Sequence, residues 1–361
     1  MKKVFGFFCI WSALSLQLKA QDWSSPEAEQ IYEQGMQSLN RGNAAEAVAI
    51  FQKIAPSEPG NLRVKKSLAQ AYQLNGNNEN ALAVLTPVIN NGNADADVFR
   101  IAAQAQSGLK DTKKAQKTLA AGIERFPNSG LLYYEQGVMY KNERKFEDAL
   151  KSWLDGIAHD PEFRLNYHEA AIAYVQTDQP VWAILYGEIF VNKEPNTPRG
   201  NETRILLLDA YQKLFFTPSK TAGGNPLLSR DPRNFQEAVE KTMLNLFFVV
   251  SDGINTENLI MLRSRFIVSW TDNYAAQYPF GLFRYQENLM RNGYFDAYNQ
   301  WLFGNAENPQ QFSGWKGSFG KELKEMEQFR VKNPLTLTAA DAYNQQRNFK
   351  GYFNFDKKSG N

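Results

Sequence analysis

Cysteine is almost missing from this chain of 361 residues, where Cys9 stands alone. Disulfides and Cys-based metal sites are thereby excluded, and stability has to come from packing. Histidine is nearly as scarce. His159 and His168 flank Pro161 and form no His-x-x-x-His pair, so a metal would need carboxylates brought from elsewhere. A charge surplus is lacking too: 40 Lys and Arg against 38 Asp and Glu provide no electrostatic reason to bind nucleic acid. Beyond the N-terminus no apolar run is long enough to cross a bilayer, and Thr242–Val250 reads as buried helix. Catalytic signatures are absent as well. There is no Gly-x-Ser-x-Gly elbow and no dinucleotide fingerprint, and AGGNPL at 222–227 lacks the lysine and spacing of a phosphate loop. Nothing calls for a cofactor, and carboxylate-rich KELKEMEQF reads as a solvated helix face.

The first residues, MKKVFGFFCIWSALSLQLKAQ, carry Lys2 and Lys3, an apolar stretch from Val4 to Leu16, and a small residue at Ala20. This is the pattern of an export signal spanning 1–20, cleaved between Ala20 and Gln21, with a lead-in at 21–27. The alternative is an uncleaved N-terminal anchor, since Leu18 is larger than the usual small residue; Cys9 lacks the small neighbour that lipidation requires. Cleavage would remove three lysines and no acid, taking the formal charge from +2 to −1. A mature chain free of cysteine and with this style of leader suggests the periplasm or outer envelope of a bacterium. Asn201-Glu202-Thr203 would matter as a glycosylation acceptor only in a eukaryotic secretory route.

What is present is a period. Gly35, Ala69, Ala103, Gly137 and Ala171 are each 34 residues apart. Ala47, Ala81, Ala115, Ala149 and Ala183 keep the interval, as do Phe51, Leu85, Leu119, Trp153 and Gly187. Pro59, Pro127, Pro161 and Pro195 hold it too, with Asn93 in the missing place. Tyr133, Gly137 and Tyr140 share one helix face, and Ala149, Trp153 and Gly156 share the face of the next. Small residues let paired helices approach, large ones fill the volume beside them, and proline ends the unit. One helix pair cannot bury its apolar face alone, so the pairs stack in series.

Over residues 28–196 these ladders resemble the tetratricopeptide repeat family, as in YYEQGVMY…FEDALKSWLDGIAHDP and IYEQGMQS…AEAVAIFQKIAPSEP. The resemblance implies five repeats (28–61, 62–95, 96–129, 130–163 and 164–197) forming an all-α solenoid. It also implies a groove lined by first helices. Carried onto this chain, its partner-binding positions include Arg63, Lys66, Gln73, Arg100, Gln104, Tyr134, Lys141, Asn142 and His168, with Tyr32, Met36, Asn40, Leu74, Ser107, Val138, Ile172 and Gln176 beside them. Cationic and amide donors next to tyrosine suit an extended protein or peptide segment. The family's grip on a terminal carboxylate is not carried over, because Met36, Gln70, Gln104, Val138 and Ile172 stand where its asparagine is expected.

Past the repeats, 198–216 reads as a capping helix that offers Ile205, Leu207, Leu208 and Tyr211 to the last repeat, and 217–234 as a turn-rich loop. Further helices are expected at about 235–250, 256–272, 280–304, 320–331 and 338–347, with Thr338 as a cap and a loop over 304–317. They make 235–350 an irregular all-helical C-terminal domain, with a flexible tail at 351–361. The aromatic stretch 279–304 reads mostly as core. The leading expectation is an exported, non-catalytic scaffold that binds a protein or peptide. The alternatives are a C-terminal domain that binds a glycan through Trp301 or Trp315, and an enzyme with an unrecognised carboxylate site.

Overall fold

A computed structural model describes residues 23–217 and 226–343. The expected leader and tail lie outside the described residues, as do 218–225 of the expected loop. The described chain is helical, with no strand. It divides into two compact units: residues up to 94 with 104–111, and residues 95–103 with 112 onward.

The first unit holds α1 (Pro26–Asn40), α2 (Ala44–Ile54), α3 (Leu62–Leu74), α4 (Asn78–Asn90) and the end of α5 (Ala96–Gly108). Three of its helices, α1, α3 and α4, start where side chains satisfy free backbone N–H groups. Ser25 accepts from Ala28 ahead of Pro26, Asn61 from Arg63 and Val64, and Asn77 from Asn80. Close approach at Gly35 fixes the α1/α2 pair, because a Cβ there would clash with the ring of Phe51 at 2.5 Å. Ala47, Ala69 and Ala81 are fully buried at their rungs.

The second unit holds the start of α5, α6 (Thr112–Arg125), α7 (Gly130–Asn142), α8 (Phe146–His159), α9 (Arg164–Val175), α10 (Pro180–Lys193) and α11 (Pro198–Phe216). It continues with α12 (Pro226–Ser229), α13 (Phe235–Leu244), α14 (Thr256–Asn273), α15 (Gly281–Arg291), α16 (Phe295–Asn299, running on through Gln300–Gly304 and Asn305–Glu307) and α17 (Pro309–Lys332). The α1/α2 device recurs 102 residues on, where a Cβ on Gly137 would overlap the Trp153 indole. Ala103, Ala115, Ala149, Ala171 and Ala183 are buried, Tyr140 is half-buried, and Pro161 and Pro195 each offer a carbonyl, to Tyr167 and Arg204.

Another ladder is visible only in the backbone. Gly42, Gly76, Lys110 and Arg144, spaced by 34, all have φ between 62° and 80°. Each donates its N–H to the carbonyl three residues earlier at 2.9–3.0 Å. Glycine suits the left-handed turn that joins paired helices, whereas Lys110 and Arg144 occupy it at a steric cost.

No boundary in packing follows the last repeat, because α10 is buried nearly all round and shares one core with α13–α16. Phe235 stacks on Tyr343 at 4.2 Å and meets Trp182, Trp270 and Phe280 edge-on or tilted at 5.1–5.7 Å. Deep in this core the Glu188 carboxylate accepts from Arg263 and Gln286 at 2.6 Å and from Tyr298 at 2.8 Å. Burial opposes the charge on Arg263, but the Glu188 carboxylate outweighs it and holds the guanidinium above its ordinary pKa.

The structure corrects several expectations. Ile205 is 59% exposed, because α11 turns Leu207, Ala210, Tyr211 and Leu214 inward and position 205 falls outside that stripe. The 242–250 stretch is not continuous buried helix: α13 ends at Leu244, Phe247–Val249 is a 3-10 turn, and Phe248 is 60% exposed. The helix expected over 280–304 is broken at Gly293, φ +74°, and resumes into a π-helix at Gln300–Gly304. Residues 309–317, expected as loop, begin α17, because Asn308 caps Gln311 and Pro309 takes the first turn. Gly314, Gly317 and Gly320 there have open space for at least 4 Å around the place a Cβ would occupy, so they mark no close contact. After Thr338, which does form a capping box with Asp341, only a 3-10 turn at Ala339–Asp341 follows within the described residues.

Candidate functional site

In the first unit, the expected groove residues serve one another. The Arg63 guanidinium lies over Trp23 at 5.2 Å and Tyr32 at 4.9 Å, and those two rings are 4.9 Å apart. The lead-in is tied down beside them by Ser24, whose N–H donates to Glu58 at 2.7 Å. Arg63 is therefore engaged in a cation–π contact with the chain's own aromatics. Gln73 donates to Gln104 at 3.5 Å, Lys66 is half-buried and also has a partner, and Leu74 is 61% exposed.

In the second unit, Arg100 is paired within its own helix to Asp97 at 2.7 Å. Tyr134 is half-buried with its ring against Phe163, and Asn142 is exposed at its edge of the helix end. His168 is buried, its ring 4.6 Å from that of Phe190 and its Nδ1 3.5 Å from Glu169, so it presents no open imidazole. His159 stacks on Tyr133 at 5.1 Å, as turn packing would have it.

Lys141 is the expected residue around which a site forms. α7 ends at Asn142, which leaves Lys141 in its last turn, from which Nζ reaches Glu169 on α9 at 2.7 Å and lies 5.7 Å over the Trp153 ring. Burial pushes the Glu169 carboxyl up, but hydrogen bonds from His168 and Lys141 outweigh it and hold the group below its ordinary value. Beneath the ion pair is a slot of about 160 Å³ lined by Lys141, Phe146, Trp153, Glu169, Ile172, Ala173 and Gln176. Ile172 is 37% exposed at its edge. The slot is thus an apolar cavity edged by one fixed cation and one fixed carboxylate, with amide donors from Gln176. Such a place accepts a side chain with an apolar body; it holds no nucleophile with an adjacent base.

Three of the residues the resemblance implies, Lys141, Ile172 and Gln176, come together here. Phe146, Glu169 and Ala173 were missed. Glu169 carries no local signal, being one acidic residue of 38, and its pairing depends on α7 and α9 lying side by side. The aromatics suggested for a glycan are less open. Trp301 is 9% exposed and covered by Arg330 and Arg204, while Trp315 is half-buried between Phe312 and Phe319. Among the described residues no group of three or more His, Cys, Asp or Glu is placed to hold a metal, and no helix is long and apolar enough to cross a membrane.

Residues 38–105 match the family model of the tetratricopeptide repeat. Among solved structures, MamA from Desulfovibrio magneticus is 18% identical, covering 48% of this chain and 98% of its own, with a TM-score of 0.36. A second MamA structure is 19% identical over 52% of this chain and 93% of its own, TM-score 0.33. A tetratricopeptide repeat protein from Parabacteroides merdae is 15% identical over 84% of this chain and all of its own, TM-score 0.32. No curated relative matches the chain, and the C-terminal region is covered by no family. The 34-residue ladders and the small-on-large contacts that produce them make this an all-α helical-repeat chain, in which residues 38–105 match the tetratricopeptide repeat.

Proposed function

We propose that this chain is an exported, non-catalytic scaffold that captures a segment of another protein, anchoring one apolar side chain in the slot between α7, α8 and α9. The observation that carries this reading is the slot itself: apolar walls, an exposed Ile172 at the edge, and the Lys141–Glu169 pair fixed above them. The pair can orient a passing backbone or a polar neighbour while the buried walls supply affinity. The tetratricopeptide fold supports the scaffold reading, since its usual work is protein–protein interaction. The Lys2, Lys3 and Val4–Leu16 leader supports export to a bacterial envelope.

The test places a photo-crosslinking side chain at Ile172 and, as a control, at Val331, which is 83% exposed. In cells that make the protein, position 172 should yield a discrete protein adduct that position 331 does not. Identical adducts from both, or none at 172, would remove the slot as the contact surface. Mass measurement of the same purified protein should show a chain starting at Gln21; an uncleaved cytosolic chain would rule out export.

A further inference from the structure

A second cavity, of about 320 Å³, is lined from the start of α9 and the end of α10 and shares no residue with the slot. Its wall comprises Glu162, Arg164, Asn192 and Lys193, with Tyr285 from α15, Arg330 from α17, and the Pro334–Leu335 segment. That volume is at the small end of the range for ligand sites, roughly 300–1,000 Å³.

Arg330 is its central cation. The guanidinium lies 3.6 Å over the Trp301 ring, donates through Nε to the Tyr285 hydroxyl at 3.2 Å, and through Nη2 to the Asn192 side-chain oxygen at 3.2 Å. An aromatic face and three neutral acceptors, the third being the Asn192 carbonyl at 3.4 Å, hold it in one orientation, and among the described residues no group accepts from Nη1. Among the described residues no carboxylate pairs with it. Arg204, on α11, also lies over Trp301, at 4.7 Å, and is buried, donating to the Pro195 carbonyl and the Asn201 side chain. Burial and the neighbouring charge of Arg330 push its pKa down to about 10. Among the described residues neither guanidinium has a carboxylate partner, and two such charges beside one ring are costly unless an anion joins them.

The other charges of the wall do not supply that anion. Lys193 is paired to Glu162 at 2.7 Å, and Glu162 is also tied to the Leu337 N–H at 3.0 Å. Glu194 is shared between Arg164 and Arg199. The charged residues that line the cavity are thus three cations, Arg164, Lys193 and Arg330, and one carboxylate, Glu162.

We infer that this cavity is a binding site for a small organic carboxylate, whose oxygens are received by Arg330 and whose body lies against Tyr285, Pro334 and Leu335. Tyr285, Pro334 and Leu335 are the apolar part of a mainly polar wall, and they offer an organic body contacts that an inorganic oxyanion cannot use. A planar, fixed guanidinium suits a planar carboxylate better than lysine would.

Titration calorimetry on the full chain tests this with benzoate, with N-acetylphenylalanine as a peptide-like carboxylate, and with benzamide and inorganic phosphate as controls. Saturable binding of either carboxylate is expected, the tighter one showing whether a free acid or a chain terminus is preferred. Arg330→Gln should weaken it about tenfold or more. If Arg330→Gln does not fold, Lys193→Met replaces it and should weaken binding at least about threefold. The inference is overturned if no carboxylate binds, if benzamide or phosphate binds as well as benzoate does, or if binding survives the folded variant unchanged. Because no residue here lines the slot, failure at this cavity leaves the crosslinking result at Ile172 to stand or fall alone.

Discussion

The pairs α1/α2 and α7/α8 occupy equivalent places in the repeat and are put to different uses. In both, a glycine lies under a ring: Gly35 under Phe51 and Gly137 under Trp153. What differs is the cation nearby. Arg63 is taken up by Trp23 and Tyr32, so that surface is closed over by the chain's own lead-in. Lys141 crosses instead to Glu169 on the next first helix and leaves a cavity beneath. Identical packing positions therefore make a scaffold, and the residues between them decide whether its surface is spent internally or left for a partner.

The two units also differ in how their cores are built, and the strongest way to break that comparison is Glu188→Ala. The second unit buries an ion pair with Arg263, whereas the first rests on Ala, Val, Leu and Phe packing. Removing the carboxylate strands a fully buried guanidinium, and a loss of ~3–5 kcal/mol is expected in urea denaturation. A loss below about 1 kcal/mol would show that water reaches Arg263 and that the pair is not a core element.

A smaller effect sharpens the equivalence of the repeats. Ala47→Leu and Ala149→Leu fill the same rung in different units, both at fully buried positions. Each should overpack its helix pair and cost ~1–3 kcal/mol. Two separate unfolding steps, each moved by one of the substitutions, would show that the units unfold independently; an unchanged midpoint would contradict the shared register.

The smallest effect concerns the left-handed turns. Arg144→Gly should stabilise by up to about 1 kcal/mol, the same order as the penalty on a side chain at φ +62°. Gly76→Arg, at φ +77°, should cost about as much. Thermal melts that moved the same way in both would refute the steric account.

The repeat was legible because each ladder reports a purely local demand. A residue that must be small, such as Gly137, or that ends a unit, such as Pro161, repeats wherever the helix pair repeats. The turn ladder was not legible, since Lys110 and Arg144 occupy positions where only glycine would have signalled the conformation. In the C-terminal region the aromatic spacing of 279–304 located the core, with Tyr298 and Phe303 fully buried. It did not show the break at Gly293, where glycine adopts φ +74°, or the π-helix that places Trp301 under Arg330. At the candidate site, Lys141 and Ile172 were readable as outward positions of first helices, but Glu169 and Phe146 were not.

By itself, then, the sequence determined the 34-residue period, the all-helical class and the absence of cysteine chemistry, because these depend on residue type at fixed short spacing. Tertiary structure alone decided which cations are engaged and which are left over. Arg63, Lys141 and Arg330 look alike in a chain of letters. They differ because charge compensation depends on distances between residues far apart in sequence: Arg63 meets two rings, Lys141 meets Glu169, and Arg330 meets Trp301 with no carboxylate beside it among the described residues.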